Sequence, residues 1–280
     1  MRDISIFQIK EAVKHLSIEA NWTLGKDVLQ ALRQCLEKEK TPLARTVLSQ
    51  LIENAEIAHR ERIPLCQDTG FAVVLLEIGQ EVRFVDGDLN EAVQQGIREG
   101  YTEGYLRKSI VQDPLQRKNT GDNTPAIVYT EIVSGDKVKV TVIPKGGGSE
   151  NMSEVRMLPP SAGWKGIERF VLNRVQRAGP NACPPLIVGI GIGGTFEKCA
   201  WLAKKALLRP IGSFHPDPYY MEKETELLEK INALGIGPMG YGGYCTALAV
   251  HIETYPCHIA SLPVAVNLQC HAARHREMVM

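Results

Sequence analysis

Apolar residues in the first 60 positions recur every three or four residues, which is the spacing of an amphipathic helix. The pattern divides into three helices, and the first stripe runs through Ile6, Ile9, Ala12, Val13 and Leu16. The third helix has a clear start, because Thr41 suits the N-cap and Pro42 suits the first helical position. We therefore expect a helical layer over residues 1–60.

Beyond residue 60, short apolar runs alternate with clusters of Gly, Pro, Asn and Asp, a pattern typical of strands and turns. Strands are expected at 71–78, 82–85, 126–133, 137–143, 186–190 and 246–253. Helices are expected at about 90–105, 161–175, 196–208 and 222–234. The runs at 126–133 and 137–143 flank Ser134-Gly-Asp136, which predicts a hairpin.

These elements predict an α+β (mixed α/β) fold. We expect one domain over residues 1–280, in which the helical layer of residues 1–60 packs on mixed sheets formed by residues 61–280. No linker or low-complexity segment divides the chain.

Composition and charge argue against several classes of function. The 280 residues are 44% hydrophobic and 23% charged, as in ordinary globular proteins. The 32 basic residues balance the 32 acidic ones, which argues against binding to nucleic acid or to an anionic membrane. An anionic ligand would need locally placed Arg or Lys. The apolar runs are far shorter than the roughly 20 residues of a membrane helix, and no hydrophobic signal precedes the first helix, so we expect a cytoplasmic protein with reduced thiols.

The seven cysteines are odd in number and include no C-x-x-C pair, which argues against a disulfide framework and against a zinc ribbon. The roles left for the cysteines are those of buried thiols, of a nucleophile, or of ligands in a metal site assembled from distant segments. Cys35 and Cys199 lie on apolar stripes of predicted helices, where we expect them to pack as small hydrophobic residues. Cys66, Cys183 and Cys270 instead lie in stretches rich in polar residues, Gly and Pro.

Two glycine-rich stretches add candidate binding groups. Lys145-Gly-Gly-Gly-Ser149 lets backbone amides approach a ligand, although a flexible turn explains it equally well. Gly189, Gly191 and Gly194 fit G-x-G-x-x-G between a strand and a helix, which makes a dinucleotide-binding oxidoreductase an alternative. We favour it less, because no parallel strand with a terminal carboxylate is evident in the Pro-rich segment 210–218 that follows.

Taken together, an ordered set of motifs resembles the class I, iron-sulfur fumarases. The motifs are Cys66-Gln-Asp-Thr-Gly70, Lys145-Gly-Gly-Gly-Ser149, Ala182-Cys-Pro-Pro185 with Ile192-Gly-Gly-Thr195, and His258-Ile-Ala-Ser261 ahead of Cys270. Each motif alone is weak, whereas the set in this order is specific. The resemblance is to the N-terminal catalytic region, which is equivalent to the alpha subunit of two-subunit fumarate hydratases and L-tartrate dehydratases.

The resemblance implies a 4Fe-4S cluster held by Cys66, Cys183 and Cys270, with one iron left without a protein ligand. Cys257, beside His258, is the second choice for the third ligand. An open iron suits Lewis-acid chemistry, whereas a four-cysteine cluster would suit a non-catalytic electron carrier. We expect the three cysteine loops to converge at one edge of the fold.

The resemblance also assigns roles around the cluster. Gln67 and Asp68 are expected to contact the substrate, Arg107 to clamp a carboxylate, and Gly148 to offer a backbone amide. His258 would orient Asp68 or relay a proton. Its surroundings, Cys-His-Ile-Ala-Ser, depart from the family's Arg-His-Gly-Ala-Ser.

The expected activity is the reversible hydration of fumarate to L-malate, and dehydration of L-tartrate to oxaloacetate is the alternative. The half of the family's site that carries further Arg and Lys residues and the presumed base does not occur in these 280 residues. We therefore expect a beta subunit that completes the site, in an α2β2 heterotetramer.

Overall fold

A computed structural model describes all 280 residues and confirms the mixed α/β class. The chain divides into two compact units. The first comprises Met1–Gly25, Asn54–Gly147 and Arg274–Met280, and the second comprises Lys26–Glu53 and Gly148–Ala273. No helix combines the length and the apolar character needed to cross a lipid bilayer.

The helices begin and end close to the predicted positions, except for the short helix α5, which the sequence pattern does not predict. They are α1 Ile6–Trp22, α2 Lys26–Lys38, α3 Pro42–Glu61, α4 Leu89–Glu103, α5 Gly147–Asn151, α6 Gly163–Ala178, α7 Phe196–Ala206 and α8 Pro218–Asn232. The strands are β1 Arg2–Ser5, β2 Phe71–Gly79, β3 Val82–Val85, β4 Ile127–Val133, β5 Val138–Lys145, β6 Glu154–Leu158, β7 Leu186–Gly193, β8 Ala247–Tyr255, β9 Leu262–Gln269 and β10 Arg276–Val279.

The main sheet of the first unit has the strand order β10-β5-β2-β4. The predicted hairpin is wrong, because β2 lies between β4 and β5, parallel to β4 and antiparallel to β5. Residues 72–76 of β2 are all buried and apolar. A strand of that composition is stabilised by neighbours on both sides, which explains its central position.

Helices α1 and α4 pack against each other, and α1 also contacts the main sheet of the first unit. Two glycines one helical turn apart permit the close approach of the helices, since a Cβ atom on Gly96 would lie 2.6 Å from the Lys10 carbonyl oxygen and one on Gly100 would lie 3.0 Å from that of Lys14. The core between them includes Val13, Val93 and Ile97.

The second unit is a three-layer arrangement around a sheet of order β6-β9-β7-β8. Val188, Ile190 and Ile192 of β7 pack with residues of α6 and α8, and the alternate positions of β7 face α7. A Cβ atom on Gly191 would lie 2.0 Å from the carbonyl oxygen of Cys199, and one on Gly189 would lie 2.1 Å from that of Ala203. These two glycines therefore let α7 approach the strand.

As expected, no strand lies in the segment 210–218, but a strand parallel to β7 does follow farther along the chain. Strand β8 pairs with β7 in parallel, but it enters the sheet only after α8, and it begins at Ala247, well beyond the segment 210–218. The packing of α7 nevertheless explains Gly189 and Gly191 without a dinucleotide.

Cys35 is not the free thiol that its position on an apolar stripe predicts, since the structure pairs it in a disulfide with Cys245. The expectation of uniformly reduced thiols is therefore contradicted for this pair. The two residues are 210 positions apart, and nothing in their spacing points to the bond.

The buried Glu39 lies beside this disulfide. One carboxylate oxygen accepts hydrogen bonds from the amides of Lys40 and Thr41, and the other accepts them from Tyr244 and Cys245. Burial opposes ionisation of the carboxyl group, but these four amides together hold the pKa of Glu39 below its ordinary value. The carboxylate thus fastens the junction between α2 and α3 to the segment before β8.

Candidate active site

The loop that carries Cys66 leads from α3 into β2 in the first unit. Its turn is closed by Asp68, whose amide donates to the Cys66 sulfur over 3.4 Å. The Asp68 carboxylate accepts two further amides, from Gly70 at 2.9 Å and from Gly147 at 2.8 Å. Each carboxylate oxygen is thus held by one backbone donor, which fixes the direction of the side chain.

A close backbone approach and two hydrogen bonds hold the C-terminal half of this loop in place. Gly70 has a φ of 71°, and a Cβ atom there would lie 2.5 Å from the carbonyl oxygen of Lys145, so no other residue fits. The buried Tyr101 hydroxyl donates to the carbonyl of Thr69 at 2.9 Å, and Asn123 donates to that of Gly70 at 3.2 Å. Burial raises the pKa of Tyr101 above its ordinary value, so that the hydroxyl remains a donor.

A pocket of about 360 Å³ opens beside this loop, still within the first unit. It is lined by Gln67, Asp68, Gly70, Phe71, Arg107, Ser109 and Gly147. Arg107 is exposed, and its guanidinium has neither a hydrogen bond nor an ion pair, while its backbone carbonyl accepts the Thr69 hydroxyl at 3.1 Å. The structure thus brings together three predicted site residues, Gln67, Asp68 and Arg107, with one unpaired cation available for a carboxylate.

Two other predicted ligands lie close together in the second unit. Cys183 has a left-handed backbone conformation, with a φ of 55°, and Cys270 directly follows β9. The amide of His271 donates to the Cys183 carbonyl at 3.3 Å, and the His271 Nδ1 atom lies 3.2 Å from the same oxygen. These contacts hold the two cysteine segments next to each other.

The chemistry of the thiols fits an iron-sulfur cluster. None of Cys66, Cys183 and Cys270 is in a disulfide, and all three are half-buried, so their thiols are available as ligands. Cys199 is a buried residue of α7, where burial raises the pKa of its thiol, and it packs as predicted. Cys257 is exposed, and its thiol donates to the Ser261 carbonyl at 3.3 Å.

The three candidate ligands are divided between the units, since Cys66 belongs to the first unit and Cys183 and Cys270 belong to the second. Accordingly, neither unit by itself contains three His, Cys, Asp or Glu side chains grouped to hold a metal ion. Assignment of the three cysteines to one cluster stays a prediction.

Gly148 is exposed in the first turn of the short helix α5. A buried polar cluster anchors this helix, because Glu150 accepts hydrogen bonds from Lys204 at 2.7 Å and from Asn267 at 3.0 Å. Lys204 is only 9% exposed, so this ion pair lies largely away from solvent. Its effect is to hold the helix that presents the Gly148 backbone.

His258 lies in the exposed turn between β8 and β9, where its Nδ1 atom is 3.1 Å from the amide of Ala260. His258 also lines a pocket of about 620 Å³ in the second unit, together with Phe196 and Tyr255. The expected contact between His258 and Asp68 stays a prediction.

Sequence reasoning missed the residues that support the site. Arg274 is 2% exposed and donates from Nη2 to the Asp68 carbonyl oxygen at 2.8 Å. Tyr101, Asn123 and Glu150 are further supports. The one available signal was a charged residue within Ala272-Ala-Arg274, immediately after the Cys270 motif.

Comparison with known proteins adds independent findings. Residues 10–279 match the family described as fumarate hydratase (Fumerase). A putative L(+)-tartrate dehydratase subunit alpha from Methanocaldococcus jannaschii is 45% identical over 273 residues, which cover 95% of this chain and 95% of that protein. The L(+)-tartrate dehydratase subunit alpha of Escherichia coli K12 is 32% identical over 279 residues, which cover 99% of this chain and 92% of that protein.

Proposed function

The chain belongs to the class I fumarate hydratase family of hydro-lyases, and on that premise we propose that it is the alpha subunit of an L(+)-tartrate dehydratase. The observation that carries the choice of substrate is full-length similarity, at 32–45% identity, to proteins named L(+)-tartrate dehydratase subunit alpha. This favours the alternative of the sequence analysis over its first expectation. Hydration of fumarate to L-malate is the second candidate, supported by the family's description.

Both reactions add one molecule of water to, or remove it from, two adjacent carbons of a four-carbon dicarboxylate. In the dehydration of tartrate, one carbon loses a proton and its neighbour loses a hydroxyl group. The enol that results rearranges to oxaloacetate. The substrate is a dianion, so it needs cationic partners as well as fixed polar groups.

Arg107 supplies one cationic partner. Its unpaired guanidinium lines the pocket beside Asp68 and suits a bidentate contact with one substrate carboxylate. Gln67 and the amide of Gly148 are proposed as further substrate contacts. Asp68, whose two oxygens are each held by a backbone amide, is proposed to contact the substrate in a fixed orientation and to take part in proton movement with His258.

Cys66, Cys183 and Cys270 are proposed to hold the 4Fe-4S cluster, with Cys257 as the second choice for the third position. When bound, the cluster supplies a Lewis acid for the departing hydroxyl group. Everything else in the scheme, including carboxylate binding, substrate orientation and proton movement, falls to protein side chains and amides.

A beta subunit is proposed to complete the site, in an α2β2 assembly. The names of the relatives support this, since each is a subunit alpha. Charge supports it as well: Arg107 is the only cation lining the pocket, whereas tartrate has two carboxylates. The second carboxylate therefore needs a cation from elsewhere in the assembled enzyme.

The test is anaerobic reconstitution of the chain with its beta subunit, followed by assays on L(+)-tartrate, D-tartrate and L-malate. We expect the highest kcat/KM on L(+)-tartrate and about four irons per alpha chain. Arg107→Gln should lower kcat/KM roughly 10- to 100-fold, because it removes a charge-assisted hydrogen bond whose free energy corresponds to a factor of that size. Arg117→Gln, which changes another exposed arginine of the same segment, should leave it within about twofold.

Higher kcat/KM on L-malate would replace tartrate by the second candidate. A chain that retains no iron after anaerobic reconstitution would contradict both candidates. Equal losses for the Arg107 and Arg117 variants would remove Arg107 from the carboxylate site.

A further inference from the structure

Arg274 is a buried cation without an anionic partner. Only one of its nitrogen atoms, Nη2, has a hydrogen-bond partner, the Asp68 carbonyl oxygen at 2.8 Å. Nε and Nη1 are buried and have no partner, and the guanidinium forms no ion pair within its unit. Burying an unpaired charge is strongly unfavourable, so this arrangement needs an explanation beyond one hydrogen bond.

The position of the charge suggests that explanation. Asp68 accepts from Arg274 through its carbonyl and donates to the Cys66 sulfur through its amide, at 3.4 Å. Because a single residue bridges the two contacts, the guanidinium lies within about 10 Å of that sulfur. The Asp68 carboxylate does not pair with Arg274, since its two oxygens accept the amides of Gly70 and Gly147.

We propose that Arg274 is a positioning residue of the site: it holds the Cys66–Asp68 turn, and its charge offsets the negative charge that accumulates at Cys66 when the cluster is bound. The inference rests on the proposed function for its second half. Three thiolates and a 4Fe-4S core of charge 2+ sum to a net charge of 1−, which becomes 2− when the core gains one electron. A desolvated cation nearby favours both the bound cluster and its reduced form.

Arg276 provides a matched control in the same unit. It also donates from Nη2 to a backbone carbonyl, that of Thr23 at 2.8 Å. In contrast to Arg274, it is half-buried and lies 3.6 Å from the carboxylate of Glu19. Loss of Arg276 therefore reports the effect of removing an arginine from this stretch without touching the Cys66–Asp68 turn.

The first measurement uses the full chain without cluster and follows hydrogen exchange of the Gly70 and Gly147 amides, both of which donate to Asp68. Arg274→Gln should speed their exchange about tenfold or more, because the turn loses its anchor. Arg274→Lys, which keeps one donor and the charge, should restore most of the protection, and Arg276→Gln should leave it unchanged. Unchanged protection in a folded Arg274→Gln protein would overturn the positioning role.

The second measurement uses the chain after anaerobic loading and compares midpoint potentials of the cluster. Arg274→Gln should shift the potential to lower values and speed loss of iron, whereas Arg274→Lys should keep both near those of the unmodified chain. Potentials that do not differ would overturn the charge role. If Arg274→Gln fails to fold, Arg274→Met is used in its place. A midpoint potential for Arg274→Met equal to that of Arg274→Lys would then overturn the charge role.

The two measurements separate this inference from the proposed function. An unmodified chain that takes up no cluster overturns the proposed function and the charge role together. The exchange experiment still decides the positioning role in that case, because it needs no cluster.

Discussion

His251 is a buried titratable group in the middle of β8. Its ring is 2% exposed, and Nδ1 lies 3.2 Å from the carbonyl oxygen of Ala206. Burial, and then the positive charge of Arg209, lower the pKa of His251 to about 4, against smaller opposing effects of Glu224 and Asp27. The residue is therefore structural, and its titration makes the stability of the fold sensitive to pH.

The sign of that sensitivity follows from the two pKa values of His251. The unfolded chain takes up a proton near pH 6.5, whereas the folded chain does so only near pH 4. Stability is thus complete above pH 6.5 and falls as the pH drops toward 4, by about 2 kcal/mol between pH 7 and pH 5 from this residue alone. Urea unfolding at both pH values should show this loss shrinking in His251→Asn and persisting in the exposed control His15→Gln. An unchanged loss in His251→Asn would exclude this residue as its source.

Residue types in the candidate site follow from motifs, but their supports do not. Cys66, Asp68 and Arg107 lie in stretches whose composition points to binding. Tyr101, Asn123 and Arg274 hold the Cys66 loop from positions up to 206 residues away. No periodicity or spacing links such residues, because the contacts arise only when the chain is folded.

Among the elements, β7 and α7 make a close backbone approach in the second unit. A Cβ atom on Gly191 would meet backbone of α7 rather than a movable side chain, so the helix itself would have to shift. We expect Gly191→Ala to reduce the free energy of unfolding by about 2–3 kcal/mol through overpacking. Urea denaturation is the measurement.

Gly235→Ala is the control for this prediction, because a Cβ atom on Gly235 meets nothing within 4 Å and only its φ of 67° resists substitution. Gly235→Ala should therefore reduce the free energy of unfolding by about 1 kcal/mol. A larger loss for Gly235→Ala than for Gly191→Ala would show that helix packing is not what the glycine in β7 provides.

Element positions could be predicted from sequence far better than their pairing. Helix periodicity is a local property, and α3 begins at the predicted Pro42. The choice of β2 as the neighbour of both β4 and β5 depends on which strand is buried on both faces, and a turn signal such as Ser134-Gly-Asp136 does not report that. The short strands β1 and β10 carry too few apolar positions to show a pattern.

For the whole molecule, the disulfide between Cys35 and Cys245 is the clearest departure from expectation. Five of the seven cysteines form no disulfide. Thiol titration in denaturant should therefore find five reactive groups without reductant and seven after reduction. Reduction should also lower the free energy of unfolding by about 2–4 kcal/mol.

Cys35→Ser is the control for the thiol titration. It frees Cys245, so that all remaining thiols react with or without reductant and reduction no longer changes stability. Seven reactive thiols in the unreduced chain would contradict the pairing.

The two units are interleaved along the chain, since Lys26–Glu53 of the second unit interrupts the first, and Arg274–Met280 returns to the first after the second is complete. No single stretch of the gene therefore encodes either unit. A fragment cut between residues 147 and 148 would carry the Cys66 loop without Arg274 and without the strand β10 that pairs with β5. Producing the first unit alone would require joining three segments of coding sequence. Circular permutation of the gene would join only two of the three, so the first unit would still be encoded by separate segments.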